Sequence, residues 1–181
     1  MGPRQWLTYA GANAGAGDGA IARQAYRQVL KLDPTNAVAQ NNLADLLRQS
    51  GDADSLKEAE GLVNQAIAGH ANDPDAFNYF DTLARILMKE GRADEAIAAF
   101  EKGNAINPKN LDILIGLASA CASNNRTSAA IRYLSQIDGL LPPGTQLSGE
   151  LAAELATARQ AVHKSDSRNS MSGTDYSPAG K

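Results

Sequence analysis

Pro74, Pro108 and Pro142 stand 34 residues apart, and Pro34 precedes Pro74 by 40. Proline has no backbone N–H and closes the helix that precedes it. Four prolines nearly in register therefore mark the ends of a repeated structural unit. Self-similarity at a period of about 20–50 residues means stacked units, each too small to bury its apolar face alone. The six extra residues between Pro34 and Pro74 can be placed. The run 51–59 is three longer than its counterpart 91–96, and 66–74 is three longer than 103–108. Both insertions are expected at turns, away from the packing faces.

The unit ending at Pro108 shows what repeats. Phe80, Leu83, Ala84 and Leu87 follow the i, i+3, i+4, i+7 spacing of one helix face. Ala96, Ile97, Phe100 and Gly103, at i, i+1, i+4 and i+7, mark one face of a second helix after Gly91-Arg92. Small Ala84 and Ala96 let the two helix backbones come close. Phe80, Leu83, Ala84, Leu87, Gly91, Ala96, Phe100 and Pro108 resemble the pattern of the tetratricopeptide repeat. The resemblance implies an all-α fold: a right-handed superhelical solenoid of stacked helix hairpins. It covers residues 3–144 as four repeats, at about 3–36, 37–76, 77–110 and 111–144.

Each repeat has its own signature. In the first, Trp6, Ala10, Gly17, Ala22 and Tyr26 fall where Phe80, Ala84, Gly91, Ala96 and Phe100 fall. The glycine-rich run 10–19 predicts a frayed first helix, since each interior Gly costs about 1 kcal/mol relative to Ala. A phosphate-binding loop would need a preceding strand and a Lys-Ser/Thr or acidic ribose partner, and none follows. In the second repeat, Leu43, Ala44 and Leu47 lead to Gly51; Ser55 with Glu58 reads as a capping box, followed by Ala59, Leu62, Val63 and Ala66. In the fourth, Leu114, Leu117, Ala118 and Cys121 face Ala130, Leu134 and Ile137. Asn125 stands at the turn glycine's place, and Asn tolerates positive φ better than other non-glycine residues. Leu147, Leu151, Leu155, Ala158 and Val162 then form the stripe of a last helix over 148–163. A solenoid needs such an element to cover its final apolar face, so residues 145–164 are expected to be a capping helix. The polar stretch 165–181 is expected to be a disordered tail. The chain begins inside a repeat, which suggests the C-terminal part of a longer array.

Composition excludes several functions. Net charge is −3, which leaves no electrostatic footprint for nucleic acid. No apolar run reaches the roughly 18 residues needed to span a bilayer, so no membrane insertion is expected of this chain. Location is taken as cytoplasmic by default, or the cell envelope if the chain is part of a longer protein. The lone Cys121 sits at the place of Leu87 and reads as a small buried hydrophobe. His70 and His163 have no partner at metal-ligand spacing, and Asp52 with Asp54 opens no Ca²⁺ loop. The sequence thus predicts no catalytic residue, no metal site and no cofactor.

What remains is surface. The resemblance implies that the first helix of each repeat lines a concave groove that holds a peptide or a partner helix. The groove residues would be Asn41, Asn42, Asp45, Arg48 and Gln49 in the second repeat, and Asn78, Asp81, Thr82, Arg85, Met88 and Lys89 in the third. The fourth would give Asp112, Ile115, Gly116, Ser119 and Ser123, and the first Arg4, Leu7, Thr8 and Gly11. Family members that grip the C-terminal carboxylate of heat-shock chaperones use a clamp of Lys, Asn and Arg. Of the matching positions Leu7, Gly11, Asn42, Asn78 and Thr82, only Asn42 agrees. Asn42 also resembles a rung of the Asn ladder by which the O-linked N-acetylglucosamine transferase repeats hold peptide backbone. The expected function is a non-enzymatic scaffold binding a protein or peptide partner. The alternative is a substrate-positioning or assembly module of a larger enzyme, or of an envelope or secretion machine, encoded upstream.

Overall fold

The structure, a computed structural model, describes residues 1–142, 144–147 and 149–172, with side chains through 165. Every regular element among the described residues is an α-helix. The class is that of an all-α solenoid, and the chain divides into two compact units, Met1–Asn107 and Pro108–Lys181.

The first unit holds three hairpins: α1 (Pro3–Gly15) with α2 (Gly19–Leu32), α3 (Ala37–Ser50) with α4 (Ala53–His70), and α5 (Ala76–Lys89) with α6 (Ala93–Ile106). Helices of one hairpin pack against each other. Each hairpin stacks on the next through α2 on α3, α4 on α5, and α3 on α5. Ala10, Ala44 and Ala84 are fully buried where first helices meet second helices, and so are Ala22, Ala59 and Ala96. Larger buried side chains, among them Val29, Leu43, Val63 and Ile86, join the core that runs through the stacked hairpins. Each such side chain contributes about 1.5–3 kcal/mol by leaving water.

The second unit holds α7 (Leu111–Ser123), α8 (Thr127–Leu140) and α9 (Gly149–Ser172). Helix α9 packs on both α7 and α8 and buries Leu155, Ala158 and Val162. Ser165 and Thr127 join hydroxyls at 2.8 Å, and Arg159 pairs with Asp138. Cys121 is buried, as a small apolar residue should be. The helix runs to Ser172, past the 164 boundary expected for it. Residues 165–172 carry no Gly or Pro, and extending an existing helix adds one hydrogen bond per residue fixed. The rest of the expected tail, 173–181, lies outside the described residues.

The turns follow the repeat. Gly17, Gly51, Gly91 and Asn125 all have positive φ, between 57° and 87°. At three of them the chain closes identically. Gly17 N–H donates to Ala14 O and Asp18 N–H to Asn13 O; Gly91 and Arg92 donate to Met88 O and Leu87 O; Asn125 and Arg126 donate to Ala122 O and Cys121 O. This is the Schellman pattern, which satisfies carbonyls a helix end otherwise leaves open. The starts repeat as well. Asn36 and Asn110, each two residues after a repeat proline, accept from the N–H of Ala39 and Ile113 at 3.0 Å.

Three local expectations are corrected. Helix α1 is not frayed: it forms through Gly11 and ends at Gly15. Gln5 Oε1 accepts from Gly2 N–H at 2.9 Å, Pro3 starts the helix, and packing on α2 outweighs the glycine cost. The cap of α4 is Asp52, whose Oδ1 accepts from Ser55 N–H at 2.9 Å; Ser55 lies inside the helix, and Glu58 pairs with Arg27 of α2 instead. The insertion before Ala59 also does not sit in the turn. Helix α4 starts at Ala53 and α6 at Ala93, so the three extra residues lengthen the start of α4.

Two predictions follow from α4. Gly61 is exposed in its interior, and an added Cβ there would meet nothing within 4 Å. Gly61→Ala should stabilise the chain by about 0.5–1 kcal/mol, seen as a melting midpoint raised by about 1–4 °C; an unchanged or lower midpoint would mean the helix is not continuous there. Hydrogen bonds from Ser55 hold the Asp52 carboxyl below its ordinary value of 3.8. A depressed carboxyl contributes stability above its unfolded pKa and loses it as pH falls through the folded value. Asp52→Ala should therefore destabilise at neutral pH, and the gap to wild type should close below 3.8 in pH-dependent urea melts; a gap of constant size down to strong acid would rule out the charged cap.

Candidate functional site

The polar faces of α3 and α5 carry the expected groove residues, and the structure sorts them into three kinds. Some are buried in the packing. Asn41 and Thr82 keep less than a tenth of their surface. In the second unit Ile115 is fully buried and Gly116 is buried too, so these two do not belong to an open surface. Helix α7 is apolar on almost every side, so register alone does not separate its open face from its buried ones.

Others are tied to neighbours on the same helix. Asp45 Oδ1 receives Arg48 Nε at 2.8 Å and Nη2 at 2.7 Å, while Oδ2 receives Gln49 Nε2 at 3.1 Å. Arg85 Nε reaches both oxygens of Asp81, at 3.2 and 3.0 Å. Its guanidinium also lies 5.8 Å from the centre of the Phe100 ring. Both ion pairs are half-buried, and each leaves its helix face close to neutral. Asn78 Nδ2 donates to Asp75 O at 3.1 Å at the start of α5, and Lys89 is exposed in its last turn.

The third kind lines a cleft. Between α1, α2 and α3 lies a space of about 450 Å³ walled by Gly11, Tyr26, Asn42, Asp45, Leu46 and Gln49. Asn42 Nδ2 donates to Tyr26 Oη at 3.1 Å, and Asn42 Oδ1 receives Asn41 Nδ2 at 3.4 Å. The amide of Asn42 is thus held from both ends. Beyond Asn41 nothing continues the chain: its Oδ1 is buried and meets no donor among the described residues. Gly11, Asn42, Asp45 and Gln49 of the expected groove share this cleft; Asn78, Asp81, Arg85 and Lys89 do not line it.

Sequence reasoning missed Tyr26, which reads as a core aromatic by its register with Phe100. It also missed a second groove between α4 and α6 of about 380 Å³, floored by Phe80, Leu83 and Leu87. Arg92 crosses its rim to Glu60, Glu90 and Glu95 at 2.7–2.8 Å. Those bonds raise the Arg92 pKa further above its ordinary value and hold the Glu95 carboxyl below its own. No group of three or more metal-ligating side chains occurs among the described residues, nor does a helix long and apolar enough to cross a membrane.

Two family models described as tetratricopeptide repeat match this chain, at residues 25–58 and 87–147. The small glutamine-rich tetratricopeptide repeat-containing protein 2 of Mycosarcoma maydis is 30% identical over 105 residues, which is 58% of this chain and 28% of that protein. The chain therefore spans under a third of that relative's length. Among solved structures, MamA from residue 41 to its end, from Desulfovibrio magneticus RS-1, superposes with a TM-score of 0.66 at 19% identity, over 76% of this chain and 75% of that one. YrrB, described as having an unusual peptide-binding site, gives 0.62 at 14% identity, over 94% and 86% of the two chains. At these identities the superpositions establish the fold alone.

The orphan carbonyl of Asn41 gives a prediction. A buried acceptor without a donor costs about 1–3 kcal/mol. Asn41→Leu keeps the side chain's size and should raise the unfolding free energy by about 1 kcal/mol in urea titrations. A loss of stability would show that the carbonyl is satisfied in solution.

Proposed function

Since the chain belongs to the tetratricopeptide repeat family, we propose that it is a non-catalytic interaction scaffold that holds an extended peptide of a protein partner along α3 and α5. Repeat proteins of this family are generally scaffolds without catalysis, and the fold supports that broad role. The finer reading rests on one observation. Asn42 is held by Tyr26 and Asn41 beside an open cleft. A fixed side-chain amide offers both a donor and an acceptor, which suits a peptide bond whatever its side chains. Asp45, Arg48, Asp81 and Arg85 form a face of mixed sign. Charges so arranged tune selectivity and association rate more than affinity. Because Asp81 holds Arg85, attraction of acidic ligand groups along α5 falls to the exposed Lys89.

A positioning module of a larger enzyme or of an envelope or secretion machine would use the same groove. The two readings differ in what the native reading frame encodes before Met1. A catalytic or membrane domain there would favour the second.

The groove is tested with a partner recovered by pull-down and identified. Asn42→Ala combined with Arg85→Met should weaken that partner by about tenfold or more, as truncation of central contacts does. Methionine keeps the stem that covers Phe100, so the melting curve should stay close to wild type. Glu101→Ala with Lys102→Ala, both exposed on α6, is the control. A partner that tolerates the groove pair and is lost with the α6 pair would move the binding surface away from α3 and α5.

A further inference from the structure

We propose that the hydroxyl of Tyr26 is the specificity-determining donor of the cleft between α1, α2 and α3, and that it binds the carbonyl oxygen of an uncharged peptide bond. The proposal rests on the groove reading and assigns its first contact to a residue on a second helix of the stack.

Tyr26 occupies a repeat position whose counterparts are Val63, Phe100 and Leu134. All four are buried, and three have no polar atom. Packing at this repeat position therefore does not need a hydroxyl. A buried phenol normally has a bonding partner, and here Oη accepts from Asn42 Nδ2 at 3.1 Å. Oη has accepted and still carries its own proton, and no acceptor for that proton occurs among the described residues. Tyr26, hydroxyl included, keeps only 2% of its surface, yet it lines the open cleft. The remaining O–H is available to a bound acceptor.

The direction of the chain supports this. Asn41 Nδ2 donates to Asn42 Oδ1, and Asn42 Nδ2 donates to Tyr26 Oη. Donors and acceptors run one way along the three residues, so Tyr26 is left as the terminal donor. Hydrogen bonds arranged in this sense polarise one another and strengthen the last member. Asn42 acts here as a positioning residue for the hydroxyl.

The cleft exists because Gly11 has no side chain. Its repeat counterparts Asp45, Arg85 and Ser119 all carry polar groups, and a Cβ at Gly11 would lie 3.9 Å from Tyr26 Oη. Asp45 decides what the ligand must donate. Its carboxylate lines the cleft, and each oxygen retains acceptor capacity beyond the bonds from Arg48 and Gln49. A peptide bond can give its N–H to Asp45 and its C=O to Tyr26. A carboxylate offers no N–H and so gives Asp45 nothing to accept.

The probes are N-acetyl-tetraglycine amide, a neutral backbone without side chains, and N-acetyl-tetraglycine with a free carboxylate, titrated into the full chain by ¹H–¹⁵N NMR. The neutral probe should move the amide signals of Gly11, Gly17 and Gly19 and the side-chain NH₂ of Asn42, and the acid should bind no better. Tyr26→Phe keeps the ring and should weaken the neutral probe by about fivefold, the share of one neutral hydrogen bond. Gly11→Leu should abolish the response while raising the melting midpoint, because it fills the cleft and removes a helix-interior glycine. An equal response from Tyr26→Phe overturns the role of the hydroxyl. Tighter binding of the acid overturns the uncharged ligand, and a wild-type chain that answers neither probe overturns the site. If Tyr26→Phe is silent while Asn42→Ala with Arg85→Met still releases the recovered partner, the groove stands without this contact.

Discussion

The close approach of helices across alanine is the constraint on which the other features of this chain depend. Ala10, Ala44, Ala84 and Ala118 recur on the first helices, and Ala22, Ala59, Ala96 and Ala130 on the second; all eight are fully buried. A methyl group is the largest side chain that lets two helix backbones sit this near each other. Interiors packed to this density leave little room for relaxation. The helix ends must then close in the space of a few residues. Three turns do so through the same pair of hydrogen bonds around a residue of positive φ. The polar faces of α3 and α5 are what this packing leaves outside.

This constraint explains why the fold was readable. A period of 34 between prolines, an alanine at a fixed place and a turn glycine are all local and independent of the partner helix. Asn125 shows how far the reading reached: it replaces glycine and still adopts a φ of 57°. The departures came where packing outweighed local preference. Gly11 and Gly15 suggested fraying, yet α1 is a full helix because Trp6, Leu7, Ala10 and Ala14 lie against the core. Ser55 looked like a cap, but Asp52 stands three residues earlier and offers a charged acceptor, which binds a backbone N–H more strongly.

The candidate site was less readable, for a geometric reason. Register says which side chains share a helix face, but not which neighbouring helix covers them. Asn41 and Asn42 are adjacent in sequence and differ in fate: one is buried, the other half-open. Ile115 and Gly116 occupy groove positions by counting and are buried in the second unit. The Asp81–Arg85 pair was visible as an i, i+4 spacing, whereas the stacking of Arg85 over Phe100 needed the fold. Tyr26 was hidden because its register declares a core aromatic, which it also is.

The first hairpin shows how one residue can change the character of a repeated surface. The position held by Asp45 and Arg85 in the next two repeats is Gly11 in the first. Elsewhere in the first unit that position supplies a charge, and the charge is engaged by its own helix through Arg48, Gln49 or Asp81. At Gly11 nothing projects, so the surface recedes into a cleft lined by Tyr26 of the second helix. A solenoid built of near-identical units is uniform along its length, and a uniform groove cannot fix the register of an extended ligand, because each shift by one repeat presents the same contacts. A single recess with its own hydrogen-bonding group breaks that degeneracy. The helix cost of Gly11 falls at this recess. Local rules are commonly broken where a surface is shaped for recognition rather than for stability.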